Sequence, residues 1–257
     1  IKSQTRLKLK EAVERQKKQF RNMPKPKYSV TQIYRRTIML FQSIDESFLS
    51  RHNRVAVFTD GHQLFKQMFD DIAAAKESIH IEFYTIYNDR IGNQLRTLLE
   101  QKAAEGVEVR VLYDSWGSMG VKPSFYANLR DLGGYATPFL MTRSNFFDFR
   151  INYRDHRKIV VLDGKIGYVG GFNVGDQYLG RVAKFGPWRD THLRVVGGAV
   201  FGMQRQFIGD WNASVKRAES RIEHYHPYFP EIDVKDGTTA MQTVASGPEG
   251  ELEKIKM

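Results

Sequence analysis

One stretch of the chain, residues 154–177 (RDHRKIVVLDGKIGYVGGFNVGDQ), holds side chains whose types and spacing suit work on a phosphodiester. His156 offers an imidazole that can attack phosphorus, and Lys158 offers a cation that can hold a non-bridging oxygen. Asp163 adds a carboxylate shortly afterwards. A phosphodiester resists attack because its oxygens are negatively charged, so its cleavage needs a nucleophile beside a cation.

Local patterns predict how these residues are held. Residues 158–162 (KIVVL) have the β-branched, apolar composition of a buried strand. Residues two apart on a strand point to the same face, so we expect His156 and Lys158 on one face. The Asp-Gly pair at 163–164 predicts a tight turn, and residues 166–169 the returning strand of a hairpin.

Small and amide residues follow the hairpin. Gly170 and Gly171 leave the backbone bare enough to approach an anion, and Asn173 can donate its side-chain amide. We therefore predict that Lys158, Gly171 and Asn173 bind a substrate phosphate. A His near a Lys is alone more often an ordinary solvated pair, but the whole set favours a site. Asp163 is left open between a turn residue and a carboxylate that supports catalysis.

This constellation resembles the HKD motif of the phospholipase D superfamily. The similarity extends over roughly residues 50–218 and favours the bacterial cardiolipin synthases of that superfamily, with this chain as the N-terminal half. The flanking segments that resemble this family are IHIEFYTI (79–86), GVEVRVLYDSWGS (106–118), WRDTHLRVVGGAV (188–200) and the helix ending at Asp210-Trp211.

The resemblance implies a mechanism. His156 would attack the phosphorus of phosphatidylglycerol and form a phosphohistidine intermediate, with Lys158 and Asn173 stabilising the charged oxygens and Asp163 as the third motif residue. A second phosphatidylglycerol would then accept the phosphatidyl group, giving cardiolipin and glycerol. Because Lys158 and Asn173 neutralise the phosphate, no metal or other cofactor is expected.

The family uses two histidines, one from each of two HKD motifs. None of the other histidines in this sequence has a Lys two residues later and an Asp seven residues later. The second half-site is therefore expected from residues outside this chain or from a second copy across a two-fold axis.

Two acidic residues are candidates for supporting roles. Asp190 matches the family's carboxylate after the motif and is assigned to orient His156; the alternative is an ion pair with Arg189 or Arg194. Glu82 lies between Ile81 and Phe83, where a buried charge needs a partner, so it either points into the site or is paired elsewhere.

Two other features stay open at this point. Arg154 and Arg157 flank His156 and suit either a lipid phosphate or ordinary surface positions. The aromatic run at 146–149 suits either a lipid-facing lip or a buried hairpin.

Charge and composition narrow the partners. Residues 1–27 contain ten Lys and Arg but only two Glu, so most of the net charge of +10 lies there. A polybasic segment beside a nearly neutral domain favours an anionic membrane over nucleic acid. We expect a place at the bacterial cell membrane, with the catalytic domain on the cytoplasmic side. The chain has no Cys, which excludes disulfides, and shows no apolar run of the ~20 residues that span a bilayer.

The order of elements predicts the fold class. Strand and helix patterns alternate after residue 52, and this alternation is typical of an α-β-α sandwich; the hairpin makes its central sheet mixed. We divide the chain into a basic helical lead-in (1–52), a phospholipase D-like domain (53–218), and a linker with the start of a second repeat (219–257). In the last part, 241–245 predicts a strand and 249 onward a helix.

Three functions compete. A phosphatidyltransferase of the cardiolipin synthase type leads. A phosphodiesterase that uses water as acceptor, on lipid or nucleic acid, is second. A catalytically silent half that binds membrane through residues 1–27 is third.

Overall fold

The structure is a computed structural model that describes residues 34–47, 49–139, 154–215 and 220–245, together with the isolated positions 11, 14, 15 and 18. The predicted basic helix of the lead-in, the aromatic run at 146–149 and the predicted helix from 249 therefore lie outside the described residues.

Helices and strands alternate through the described part of the chain. The helices are α1 (Arg35–Asp45), α2 (Gly61–Ala74), α3 (Arg90–Ala104), α4 (Ala127–Asp131) and α5 (Val200–Ser214). The strands are β1 (Leu49–Phe58), β2 (Ser78–Phe83), β3 (Glu108–Tyr113), β4 (Tyr135–Pro138), β5 (Lys158–Leu162), β6 (Ile166–Gly170), β7 (His192–Gly197) and β8 (Thr239–Gln242).

The strands form one mixed sheet in the order β4-β3-β2-β5-β6-β7-β1-β8. The pairs β2–β3 and β3–β4 are parallel, and all the other neighbours are antiparallel. The two parallel pairs follow from helical crossovers through α3 and α4, whereas β5 and β6 are joined by the short turn that the Asp-Gly pair predicts.

Both faces of the sheet are covered. On one face, α2 and α3 bury apolar side chains against β2, β3 and β5, including Leu64, Leu95, Ile81 and Val160. On the other face, α5 packs on β5 and β7. The predicted α-β-α sandwich with a mixed central sheet is therefore confirmed. β2 and β5 lie at its centre and are buried along their whole length.

The predicted domain limits need correction at both ends. β1 begins at Leu49, so the limit at 52/53 falls inside a strand. β8 pairs with β1 through Leu49↔Gln242 and Ser50↔Met241, which adds the tail to the first sheet. Residues of the predicted linker also join this core, because Ile222 and Tyr225 pack against Trp211 of α5. The strand near 241 thus belongs to the first sheet, and the start of a second repeat stays a prediction.

Asp163 lies at the turn between β5 and β6, with φ of 52°. Its carboxylate accepts the backbone N–H groups of Lys76 at 3.0 Å, Glu77 at 2.8 Å and Ser78 at 3.0 Å. It therefore ties the hairpin to the segment that enters β2. Lys158 begins β5 and Asp163 follows its end, so a strand of ~3.3 Å per residue separates them. The grouping of Asp163 with the two reacting residues is corrected: it stabilises the fold at the opposite edge of the sheet.

Replacing Asp163 with Ala should lower the free energy of unfolding by about 2 kcal/mol, because three backbone donors lose a charged acceptor. Asp163→Asn should recover much of that loss, because Asn keeps one oxygen and tolerates the positive φ. Urea denaturation of both variants measures the difference, with Lys165→Ala in the same turn as the control. Equal stability of Asp163→Ala and the parent chain would contradict this role.

Candidate active site

The motif residues lie at one edge of the sheet, which we name the site edge. Phe83 at the end of β2 pairs with Lys158 at the start of β5 and with Tyr113 at the end of β3. Gly170 at the end of β6 pairs with His192 at the start of β7. The loops that leave and enter these strands therefore converge around His156, which immediately precedes β5 and is exposed.

The structure brings His156 and Lys158 together on one aromatic ring. The rings of Tyr84 and His156 lie 4.9 Å apart between centroids, and the Lys158 Nζ lies 5.3 Å from the centre of the Tyr84 ring. Tyr84 directly follows β2, and its backbone N–H donates to the Arg157 carbonyl at 3.0 Å. The expected common side for His156 and Lys158 is thus formed around Tyr84, which follows the neighbouring strand β2.

Lys158 is a buried cation with few fixed partners. Its Nζ donates to the His156 carbonyl at 2.8 Å and lies over the Tyr84 ring. Burial lowers the pKa of Lys158 to about 8, although the charges of Asp155 and Asp190 oppose that shift. An ammonium that is poorly solvated gains more than a surface lysine from an anionic ligand, so this position suits a phosphate oxygen.

His156 is neutral in the form that can attack. Burial lowers its pKa below the ordinary 6.5, and the Lys158 charge lowers it further, while Asp155 and Asp114 act in the other direction. Among the described residues, none forms a hydrogen bond with the His156 ring. A neutral imidazole keeps one nitrogen lone pair available for phosphorus.

Replacing Lys158 with Met should raise the pKa of His156, because the variant removes a nearby positive charge that disfavours the imidazolium. The rise in the His156 pKa is measured as the titration of its ring by NMR. Lys165→Met at the opposite edge is the matched control and should leave the titration in place. An unchanged His156 pKa in Lys158→Met would show that the two side chains do not interact.

Asn173 links the segment after β2 to Tyr178 at the site edge. Its Oδ1 accepts the Thr85 N–H at 3.1 Å, and its Nδ2 donates to the Tyr178 hydroxyl at 2.9 Å. The neighbouring Val174 donates its backbone N–H to the Thr85 carbonyl. Asn173 is therefore brought beside the segment that follows Tyr84, and one Nδ2 hydrogen remains beyond the Tyr178 bond.

Gly171 does not offer its backbone donor to a ligand. Its N–H donates to the Thr191 carbonyl at 2.9 Å. A Cβ at this position would overlap the Asp190 carboxylate, and one at Gly170 would overlap the His192 ring. The two glycines are thus needed for the close approach of protein groups, and the predicted backbone approach to phosphate at Gly171 is corrected in that respect.

Asp190 lies on the Lys158 side of the site but is not seen to touch His156. Its carboxylate accepts the Thr191 N–H at 2.7 Å and affects the pKa values of Lys158 and His192. Among the described residues, no hydrogen bond joins Asp190 to His156, so the assignment of Asp190 as its orienting group stays a prediction.

His192 is a fully buried neighbour of Lys158. Ile159 pairs with Val169, so Gly170 is the next residue across from Lys158, and His192 is the next beyond it on β7. Burial and the Lys158 charge lower the pKa of His192 to about 4, so its ring is neutral. Neither ring nitrogen has a hydrogen-bond partner within the described residues.

Glu82 faces away from Lys158. It directly precedes Phe83, the partner of Lys158, so the pleat turns Glu82 toward the α5 face. There it is fully buried beside Asp155 and Asp210, with the Arg157 Nη1 at 4.0 Å. Burial and the two neighbouring carboxylates raise the pKa of Glu82 well above 4.5. The alternative that Glu82 points into the site is therefore wrong, because its side chain lies on the opposite face of the sheet from Lys158.

The same cluster fixes the turn that carries His156. Asp155 Oδ1 accepts the Arg157 N–H at 3.1 Å, and the Arg157 Nη1 donates to Asp210 Oδ2 at 2.9 Å. Three carboxylates next to one guanidinium favour retention of a proton, which allows Glu82 to donate to a neighbouring carboxylate. Arg157 thus binds α5. Arg154 instead lies over the ring of Trp116, 4.3 Å from its centre.

Glu82→Gln should flatten the pH dependence of stability. Because the folded pKa is raised, the folded state keeps a proton that the unfolded chain releases above about pH 4.5. The free energy of unfolding therefore falls as the pH rises through that window, by up to about 1.4 kcal/mol per unit, and Gln cannot titrate. Denaturation of the parent, Glu82→Gln and the exposed control Glu77→Gln from pH 4.5 to 8 measures it. Parallel curves for the parent and Glu82→Gln would refute the buried proton.

Sequence reasoning missed four residues at the site edge: Tyr84, Asp114, Asp155 and His192. Asp114 accepts the N–H groups of Trp116 and Gly117 through Oδ1, and that of Asp155 through Oδ2. The pattern that could have indicated His192 is its spacing of two from Asp190 at the start of a strand. Tyr84 gave no separate signal, because its contacts depend on how β2 pairs with β5.

The arrangement has the parts that a displacement at phosphorus needs. A neutral imidazole, a buried ammonium and an amide meet at an open edge, backed by a proton-holding carboxylate cluster. Within the part of the chain that the structure describes, no group of three His, Asp or Glu side chains is placed to hold a metal ion.

Comparison with known proteins identifies the family of this domain. Residues 68–183 match the family described as "Cardiolipin synthase, PLD-like domain". These residues include α3, the β5–β6 hairpin, His156, Lys158 and Asn173. The chain therefore contains a phospholipase D-like domain. More narrowly, that domain is of the cardiolipin synthase family.

The relatives support the narrower assignment. The chain is 45% identical over 223 residues to "Cardiolipin synthase" of Listeria innocua, covering 87% of this chain and 46% of that protein. It is 46% identical over 210 residues to "Cardiolipin synthase 2" of Staphylococcus epidermidis, covering 82% and 42%. The chain thus spans about half the length of the curated relatives it matches.

A solved structure, "NucT from Helicobacter pylori", aligns with 14% identity and a TM-score of 0.49, over 63% of this chain and 98% of that one.

Proposed function

We propose that this chain is one half of a phosphatidyltransferase that condenses two phosphatidylglycerol molecules into cardiolipin and glycerol. The observation that supports this most is the meeting of a neutral His156 and a buried Lys158 ammonium on the Tyr84 ring. The similarity to proteins named cardiolipin synthase supports a phospholipid substrate.

In the first step, a His156 nitrogen forms a bond to phosphorus while the bond from phosphorus to the glycerol oxygen breaks. The departing oxygen takes a proton from an acid, and the phosphatidyl group stays on His156. Lys158 holds a non-bridging oxygen, and the remaining Nδ2 hydrogen of Asn173 donates to the same group. The charge that accumulates on these oxygens is matched by the ammonium whose pKa burial has lowered to about 8.

In the second step, the hydroxyl of another phosphatidylglycerol attacks phosphorus and the bond to His156 breaks. The hydroxyl proton returns to the group that acted as acid. That group is the histidine of a second HKD half, from the remainder of a longer protein or from a second copy of the chain. Water in place of the lipid hydroxyl would give phosphatidic acid.

Asp190 serves this reaction through Lys158. Its charge favours the protonated lysine, and Gly171 gives the carboxylate room to approach. We keep its contact with His156 as a proposal for the complete site, where the approach of substrate and the second half can tighten the geometry.

The proposed partners are phosphatidylglycerol and the anionic surface of the bacterial cell membrane, on its cytoplasmic side; nucleic acid is not among them. The Lys and Arg residues of 1–27 would attract such a surface. In the described ranges, none of the helices has the length and hydropathy to cross a bilayer.

The decisive test replaces His156 with Ala in the complete protein and follows lipids by mass spectrometry on phosphatidylglycerol vesicles. The parent should form cardiolipin and free glycerol, whereas the variant should lose at least about 10³-fold in rate, because no other group takes over the nucleophile. His224→Ala, an exposed histidine away from the site edge, is the control and should retain activity.

Other products would revise the proposal in defined ways. Phosphatidic acid without cardiolipin would make water the acceptor and the protein a phospholipase. Full cardiolipin formation by His156→Ala would reject His156 as the nucleophile. No lipid product from the parent would reject the transferase.

A further inference from the structure

Four large apolar side chains are exposed on two loops of the site edge. Trp116 is 58% and Met119 76% exposed on the loop after β3, while Val182 is 36% and Phe185 46% exposed on the loop before β7. We name these four residues the apolar rim. Such side chains gain free energy when they leave water, so their grouping indicates a surface that meets something apolar.

The rim flanks the reacting residues on both sides. β3 lies two strands from β5 in one direction, and β7 lies two strands away in the other. Neighbouring strands lie ~4.8 Å apart, so the ends of β3 and β7 that carry the two loops are ~19 Å apart, with Lys158 midway between them. A flat surface that touches both loops would therefore lie across the His156 entrance.

The first loop is fixed to the motif rather than loosely attached. The Asp114 carboxylate accepts the N–H groups of Trp116 and Gly117, both at 2.9 Å, and also the Asp155 N–H at 3.2 Å. The Ser118 hydroxyl donates to the Tyr84 carbonyl. Trp116 is thus held in a defined position relative to His156 and stays 58% exposed, with the Arg154 guanidinium over its ring at 4.3 Å from the centre.

The second loop is anchored through aromatic contacts. The Trp188 ring lies 4.9 Å from that of Tyr178 and 6.4 Å from that of Phe185. Tyr178 in turn accepts the Asn173 amide at 2.9 Å. Phe185 is therefore connected through Trp188 and Tyr178 to Asn173. Its loop reverses direction at Gly186, where φ is 62°.

The polar groups beside the rim are mainly basic on the outside. Lys122, Lys184 and Arg189 are exposed on the same two loops. The acids nearby are turned inward: Asp114 is buried, and Asp176 binds Arg181 at 2.7 Å and the Arg90 N–H at 2.9 Å. Aromatic and apolar tips among exposed lysine and arginine are typical of segments that lie in the interface of an anionic bilayer.

We propose that the apolar rim is the surface by which the site edge docks on an anionic bilayer. Trp116, Met119, Val182 and Phe185 enter the headgroup region, and the basic residues contact lipid phosphates. His156 then meets the phosphate of a lipid that remains in the bilayer. This last consequence rests on the proposed function, whereas docking itself needs no turnover. The competing occupant is the remainder of a longer protein, which would cover the rim before any membrane is present.

The first measurement is the depth of a spin label in the complete protein. This chain has no cysteine, so Met119→Cys gives a single attachment point once any cysteines outside the chain are replaced. With vesicles of equal phosphatidylglycerol and phosphatidylcholine, the label should become accessible to oxygen and shielded from a water-soluble relaxant. A label at Leu132→Cys is the control, because Leu132 is 38% exposed at the opposite edge of the sheet and should stay in water.

The second measurement separates docking from catalysis. Trp116→Ser with Phe185→Ser should weaken binding to these vesicles by about tenfold or more and lower turnover of vesicle phosphatidylglycerol similarly. Turnover of dissolved dihexanoyl phosphatidylglycerol should stay within about twofold of the parent, since the motif is intact. Leu132→Ser should change neither.

Three outcomes would count against the apolar rim as a docking surface. A Met119→Cys label already immobile and shielded without vesicles would assign the surface to the rest of the protein. Unchanged vesicle binding by the double variant would overturn the docking role, as would equal loss on vesicle and dissolved substrate. If the label enters the bilayer but no cardiolipin forms, docking stands and the transferase proposal fails.

Discussion

The position of β5 between β2 and β6 is the constraint on which the site depends. Phe83 pairs with Lys158 and Ile159 pairs with Val169, which leaves Lys158 at the site edge on the face covered by α2 and α3. A slip of one residue would turn Lys158 toward α5 and bring Ile159 into its place. The register resists such a slip because alternate residues of β5 fill separate cores, Val160 on one face and Val161 on the other.

The sheet also separates the charges of the site. The Lys158 ammonium lies on one face, and the carboxylates of Glu82, Asp155 and Asp210 cluster behind the motif, where burial raises the pKa of Asp210 to about 6. Asp155 still acts on both His156 and Lys158, so the cluster tempers the loss of solvation that lowers their pKa values. A bound phosphate would compensate the Lys158 ammonium further for its loss of solvation, because it brings negative charge to the face of the sheet on which Lys158 lies.

Local sequence patterns predict those features of the fold that depend on interactions between residues close together in the chain. The β5–β6 hairpin, the alternation of helices and strands and the mixed sheet follow from runs of a few residues, and the observed elements agree with them. The pairing of β8 with β1 does not follow from local patterns, because it joins residues that lie far apart in the chain. The direction of Glu82 does not follow from them either, because its face is known only once β2 is paired with β5. Asp163 shows that proximity in sequence to a motif is not proximity in space when a whole strand lies between.

The separation across the sheet bears on the proposed need for a second half. In the proposed reaction the leaving glycerol oxygen needs a proton, and Glu82 is a buried carboxyl whose pKa its surroundings raise well above 4.5. That proton is on the α5 side, whereas Lys158 is on the other, so it cannot reach the leaving oxygen of a phosphodiester bound on the Lys158 side without crossing the sheet. Nor can His156 serve, because in the proposed step it carries the phosphatidyl group. The acid has to approach from the open side of the site edge, where His156 is exposed. An exposed nucleophile is therefore consistent with a site that a second half completes.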